Sequence, residues 1–159
     1  MNEKSLIQAW VKDTETSLIA NYNRLGLKAS GNWPSTLRSE ITERTSGFRV
    51  TMFGAAYTGV MESGRKPNTN QNAESLKAWV GWAGSTFLKK WVQDKGINAN
   101  PYAVAWKIAR QGITVPNRFN AGGLVSDVIT REHIVELVRD MSLFMIGEIK
   151  SDVIKEFKK

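Results

Sequence analysis

The residue types that could do chemistry gather in one stretch, Glu62-Ser63-Gly64-Arg65-Lys66-Pro67, where a carboxylate meets two adjacent cations between turn formers. A carboxylate beside a lysine evokes a nuclease centre, but such a centre needs a second carboxylate to hold a divalent cation. The further acids between residues 64 and 125 are Glu74 and Asp94, both on segments with helical periodicity. His133 is the single histidine and there is no cysteine, so the common zinc ligand sets are out of reach. Nothing resembles a nucleophile elbow, and Gly81-Trp82-Ala83-Gly84-Ser85 lacks the lysine and spacing of a phosphate-binding loop. His133, beside Arg131 and Glu132, reads as a solvated residue in the first turn of a helix. No catalytic residue, metal or cofactor is expected. What remains is a shape. Gly64 can take backbone angles closed to other residues, while Pro67 fixes its own φ and pushes Lys66 toward an extended conformation. Gly64, Arg65, Lys66 and Pro67 therefore read as an exposed, stiff loop presenting two cations.

The charge around that loop is uneven. The chain carries a net +7, yet residues 64–125 hold nine Lys or Arg against two acids, and the remainder holds thirteen of each sign. The whole excess sits in the central third, either as a solvated face or as a surface for phosphate or an acidic partner. The absence of cysteine excludes disulfides and fits assembly in a cytosol. The N-terminus lacks a signal-peptide core and no apolar run matches a bilayer span, so neither export by that route nor a membrane is expected.

The elements that must position these residues follow from periodicity and punctuation. At 159 residues, 42% of them hydrophobic, the chain is read as a single domain, 1–159. Leu6, Ile7, Trp10, Leu18, Tyr22 and Leu25 recur at helical spacing, so a helix is expected over 5–25, opened by a Ser5/Gln8 capping box and closed by Gly26. After a turn-rich stretch, Ser30 to Pro34, two alternating segments flank Arg44-Thr45-Ser46-Gly47. They predict an antiparallel hairpin with one covered face, and the first helix is the expected cover. Gly54 to Met61 fits either a third strand or a short helix. Asn72 caps the next helix. Leu76-Lys77-Ala78-Trp79-Val80 is echoed at Leu88-Lys89-Lys90-Trp91-Val92. On one helix, twelve residues at about 100° each would put the two Trp faces roughly 120° apart. A break at 81–85, with Ser85 capping a second helix, resolves this. Lys95-Gly96 ends that helix, Asn100-Pro101 starts another, and Gly112 closes it ahead of an extended Ile113 to Pro116 and a loop over 117–123. The last helix starts at Asp127 or Thr130 and runs about 30 residues, roughly 45 Å, longer than such a domain needs. Its apolar stripe continues through Phe144, Ile154 and Phe157, which marks a surface for another subunit unless the last turns simply fray near Lys155, Lys158 and Lys159. The fold class is α+β: a small antiparallel sheet covered by helices, with long helices at both ends.

Trp79, Trp82, Trp91 and Trp106 all lie in the basic third. Aromatics interleaved with cations can stack on single-stranded nucleic acid. Trp79 and Trp91, however, occupy apolar helix positions and read as core. Trp82 and Trp106 are the candidate interface anchors.

The middle of the chain resembles phage neck proteins of the tail-completion (head–tail joining) kind. Those carry an aromatic and small-residue segment ending in Glu-x-Gly-Arg-x-Pro, a helix with Leu-x-x-Trp-Ile/Val, Lys-Gly-Ile, and a helix ending Ala-x-x-Ile-Ala-Arg-x-Gly-Ile. Here these correspond to Glu62–Pro67, Leu88–Val92, Lys95–Ile97 and Ala105–Ile113, within roughly residues 55–120. The chain departs from the pattern in its Asn68–Asn72 tract, where the family often has Gly and prolines, and in its extra Leu-Lys-x-Trp-Val copy. The resemblance implies a non-enzymatic virion protein, assembled in the host cytoplasm, that forms a ring between the portal or adaptor and the tail. It implies contacts with copies of itself and other virion proteins, and cations lining a DNA exit channel. The alternative from residues alone is a small basic nucleic-acid-binding protein using residues 64–125.

Overall fold

Helix α1 spans Glu3–Arg24 in the computed structural model, which describes residues 2–27, 32–45 and 47–157. Its start lies two residues before the expected one. Asn2, not Ser5, is the cap: the Asn2 side chain accepts from the Ser5 amide at 2.8 Å, and Ser5 Oγ accepts from the Asn2 amide at 2.9 Å. Ser5 serves as the reciprocal member of the box, a role that a hydroxyl fills as well as Gln8 would. Ile7, Val11, Thr14, Leu18, Asn21 and Tyr22 form the buried stripe. Gly26, at φ 62°, ends the helix as expected.

Strands β1 (Arg38–Arg44) and β2 (Gly47–Phe53) pair antiparallel, with Ser39 opposite Met52 and Ile41 opposite Val50. The expected alternation holds over Arg38–Thr42 and Gly47–Val50 and is lost from Thr51 to Phe53, and no described hairpin residue is fully buried. Cover from α1 is limited to the base of the ribbon. There Ser39 Oγ donates to Glu15 Oε1 at 2.6 Å, and Leu37 and Met52 join a cluster around Leu18, Tyr22, Trp33 and Leu124. Tyr22 stacks on Trp33, whose indole N–H donates to Thr58 Oγ1 at 2.9 Å. Ser30, Gly31, Ser46, Lys158 and Lys159 lie outside the described residues. Gly54–Met61 contributes helix α2, Thr58–Ser63, rather than a third strand.

Helices α3 (Ala73–Ser85), α4 (Phe87–Asp94) and α5 (Pro101–Gln111) form a second cluster around Leu76, Val80, Ala83, Leu88, Ala105 and Ala109. Trp79 and Trp91 pack against it from the side, half-buried. The break between the Trp copies exists but falls at Thr86 (φ −103°, ψ −106°), one residue later than expected. Ser85 is not a cap: its hydroxyl donates back to the Gly81 carbonyl at 2.7 Å and ends α3 instead. The caps at Asn72 and Asn100, Pro101 at the first helical position, and the stops at Gly96 and Gly112 fall where the sequence places them. Helix α6, Arg131–Phe157, closes the chain. Thr130 caps it, accepting from the His133 amide at 3.2 Å, so Asp127 is not its start. The architecture is α+β, with long helices at both ends.

Candidate functional site

The Glu62–Pro67 stretch is not a presenting loop. Gly64–Arg65 forms strand β3 and pairs antiparallel with β4, Ile113–Thr114. Gly64 sits at φ 85°, and any Cβ there would overlap the Ile113 carbonyl oxygen. Gly112, at φ 74°, is confined in the same way by the Arg65 carbonyl. The two glycines let two backbones meet that no side chain could separate. Arg65 is half-buried: its guanidinium lies 4.4 Å from the centre of the Trp79 ring and donates to Asn68 Oδ1. Its Nη1 is buried with no hydrogen-bond partner among the described residues, and burial pushes its pKa below the usual arginine value. The expected exposure of Arg65 is therefore corrected, because Trp79 and the β4 backbone take up the space around it. Lys66 and Pro67 remain exposed.

Glu62 is the other end of this junction. Its carboxylate accepts from the Val125 amide at 2.7 Å, the Ser126 amide at 3.2 Å and the Ser126 hydroxyl. Burial alone would raise its pKa, but these donors outweigh it and hold the carboxyl below its ordinary 4.5. Neighbouring contacts tighten the knot. The Asn68 amide donates to the Ala109 carbonyl at 2.8 Å, and Asn120 Nδ2 donates to the Met61 carbonyl at 2.7 Å. The six-residue motif thus ties α2 to α3, to the end of α5 and to the segment before α6. Its carboxylate is spent on amide donors, and among the described residues no cluster of acids or histidines is placed to hold a metal.

His133 is not a solvated residue either. Its ring stacks on Trp10 with centroids 4.9 Å apart, and its Nε2 lies 2.9 Å from Thr14 Oγ1. Thr14 gives its own hydrogen to the Trp10 carbonyl at 2.7 Å, so Nε2 must carry the proton toward Thr14. Trp10 returns a bond from its indole nitrogen to the His133 carbonyl at 3.3 Å. Together they pin the first turn of α6 to α1 beside a groove of about 330 Å³ lined by Leu6, Trp10, Asp13, His133, Glu136 and Asp140. The one sequence signal for this was Trp10 on an otherwise exposed flank of α1.

Beyond that anchor α6 becomes steadily more exposed. No residue in it is fully buried, and every residue from Met145 to Phe157 is exposed. Ile149 is 62% exposed and Phe157 88%. Of the expected interface residues, Ile154 and Phe157 are exposed and Phe144 is half-buried. Apolar side chains occur on several sides of the helix, a pattern that in a water-soluble chain belongs to a buried element. Trp82 is 58% exposed and meets Phe87 edge-on at 5.4 Å, which makes a second apolar patch. Trp106 does not stand out as an anchor. It is half-buried against the three-helix cluster, with Arg110 over its ring at 5.4 Å. Five of the nine central cations, Lys66, Lys77, Lys89, Lys90 and Lys107, are exposed lysines. Lys95 is tied to the Gly26 carbonyl and Lys90 to Asp94. No helix among the described residues is long and apolar enough to cross a membrane. No family model, curated protein or solved structure matches the chain.

Proposed function

We propose that this chain is a structural virion protein, a ring-forming head–tail connector or tail-completion protein that joins the portal or adaptor region to the tail. The observation that carries the reading is α6, whose last thirteen residues are exposed on every side although six of them are Met, Ile, Val or Phe. An apolar helix of that kind is a piece of an interface that one copy cannot complete. A ring supplies such an interface once per copy, because head-to-tail contacts close on themselves. The basic central segment supports the same reading. Exposed Lys66, Lys77, Lys89 and Lys107 give a channel wall sequence-independent, salt-sensitive contact with a DNA backbone. In this reading Lys66, not Arg65, is the cation of the Gly64–Pro67 stretch that meets DNA or a partner. The protein turns over no substrate and works in the virion. Electron cryomicroscopy of phage particles carrying this chain tests the reading. A closed ring at the neck is the expected result, and absence of the chain from purified particles would contradict it.

The second reading, a small nucleic-acid-binding protein, is favoured by one observation: Arg110 over Trp106 and Arg118 over Phe119 place cations and aromatic faces together on the basic segment. It predicts binding of naked DNA by the monomer, weakening steeply as salt rises and on reversal of Lys107 and Arg110.

A further inference from the structure

Two of the central cations, Lys107 and Arg110, share a groove with an aromatic ring. Trp106, Lys107, Arg110 and Gln111 line it, and its volume is about 430 Å³. At about 100° per residue these four positions fall on one side of α5, away from Ala105 and Ala109 in the three-helix core. Trp106 is half-buried and the other three are exposed. No acid lines the groove. The ion pairs among the described residues are Arg24–Asp127, Lys90–Asp94, Arg139–Asp140 and Lys155–Asp152, so neither Lys107 nor Arg110 is spent on a carboxylate. Arg110 lies over the Trp106 ring and keeps its donors for another group. The carbonyl end of a helix repels an anion, but here the Ile108 carbonyl accepts from the Gly112 amide, and the Ala109 carbonyl from the Asn68 amide and from Gln71.

We infer that this groove takes a backbone phosphate of a nucleic acid strand, held between Lys107 and Arg110, with the adjoining sugar against Trp106. The lining selects that ligand. A guanidinium fork and an ammonium together suit the free oxygens of a phosphodiester, and the Gln111 amide adds a neutral donor. The ring beside them gives the apolar face of the sugar a surface. All four lining residues belong to one helix, so no second element closes the groove and a continuous strand can cross it. Residues 64–125, which include α3, α4 and α5, hold nine Lys or Arg against two acids, and that field draws a polyanion to this part of the surface. The assignment rests on the nucleic-acid contact proposed for the basic segment. It does not rest on the ring, because one copy carries all four residues.

The full chain is titrated with a labelled DNA of ~20 nucleotides, as single strand and as duplex, at about 50 and about 200 mM salt. Binding by the single copy is expected, and it weakens at the higher salt. Lys107→Gln with Arg110→Gln is expected to lower the affinity about tenfold at low salt for each form, and to flatten the salt dependence by about one phosphate contact. Lys4→Gln with Lys12→Gln removes the same charge from α1 and is expected to change the affinity less than about twofold, since no groove contact is lost. Thermal unfolding of both variants should match the wild type. A second readout needs no loss of charge. Of the six indole signals in an isotope-labelled chain, that of Trp106, identified by Trp106→Phe, is expected to move on titration while that of buried Trp33 stays. No binding, equal losses from the two charge-removing pairs, or a Trp106 signal that stays fixed as DNA binds would overturn the assignment. Poly-glutamate that moves the Trp106 signal and binds as tightly as DNA would overturn it too, and would make an acidic protein the occupant. The two proposals fail separately. A chain that binds DNA through this groove but is absent from particles sinks the neck role alone, and a neck ring built from a chain that binds no DNA sinks this groove alone.

Discussion

The Glu62–Pro67 junction and the distal half of α6 carry opposite lessons. The junction looks like surface: a carboxylate, two cations, a glycine and a proline in a row. It is instead tied to distant parts of the chain, with Glu62 on two amides and a hydroxyl, Gly64 paired to Thr114, and Arg65 over the Trp79 ring. The end of α6 looks like core, with Ile, Val and Phe at helical spacing, and it is exposed to solvent. Charge marks an exposed loop, and apolar periodicity a buried helix, only if the rest of the chain supplies no partner to the first and a neighbour to the second. Here both conditions fail. The polar stretch ties distant elements of one copy together, and the apolar stretch is left exposed.

That contrast can be broken by substitution. The largest effect belongs to Gly64→Val. A branched side chain at φ 85° against the Ile113 carbonyl forces β3 from β4, and roughly 3 to 5 kcal/mol should be lost. Thermal unfolding should then shift down by on the order of 10 °C. Glu62→Gln comes next, at about 1 to 3 kcal/mol near neutral pH, because it weakens charge-assisted bonds to the Val125 and Ser126 donors. Its pH dependence has a fixed sign. The folded-state pKa lies below the ordinary 4.5, so the charged form's contribution is complete above about 4.5 and disappears as the pH falls through the folded value. The stability gap between the wild type and E62Q should therefore narrow in acid, and a gap that widened would contradict the bonding described. Arg65→Lys should cost about 1 kcal/mol, since an ammonium keeps the charge but not the guanidinium's contact with the Trp79 ring. Smallest is Ile149→Gln with Val153→Gln. Two exposed changes on α6 should alter urea unfolding of the single copy by less than about 0.5 kcal/mol while reducing self-association. A large loss of stability there would mean that α6 is part of the body after all.

The sequence carried the helix ends well where the signal was local. Asn72, Asn100-Pro101, Gly26, Gly96 and Gly112 act on amides and carbonyls within one turn of themselves, so residue type decides. The hairpin was legible for the same reason, through alternation around Gly47. The junction was not. Its partners are 48 to 64 positions away, Ile113 and Thr114 for Gly64 and Arg65, and Val125 and Ser126 for Glu62. A Gly followed by cations and Pro has the same local preferences whether it faces water or another strand. His133 shows the same limit, because its environment is made by Trp10 and Thr14 at the far end of the chain. Trp82 and Trp106 could not be separated from spacing alone. The Thr86 break turned Trp82 outward beside Phe87, and the packing of α5 drew Trp106 against the bundle.

The central claim is that one copy completes the junction and leaves the end of α6 unfinished. Amide hydrogen exchange followed along the chain, first on dilute single copies and then on the assembled state, tests it directly. An unpacked helical end has little beyond marginal helix propensity to protect it. In dilute samples, residues 145–157 should exchange fast while the β3–β4 pair and α3–α5 exchange near the global unfolding limit, and 145–157 should become protected on assembly. Strong protection of 145–157 in the dilute single copy, or unchanged fast exchange there after assembly, would contradict it.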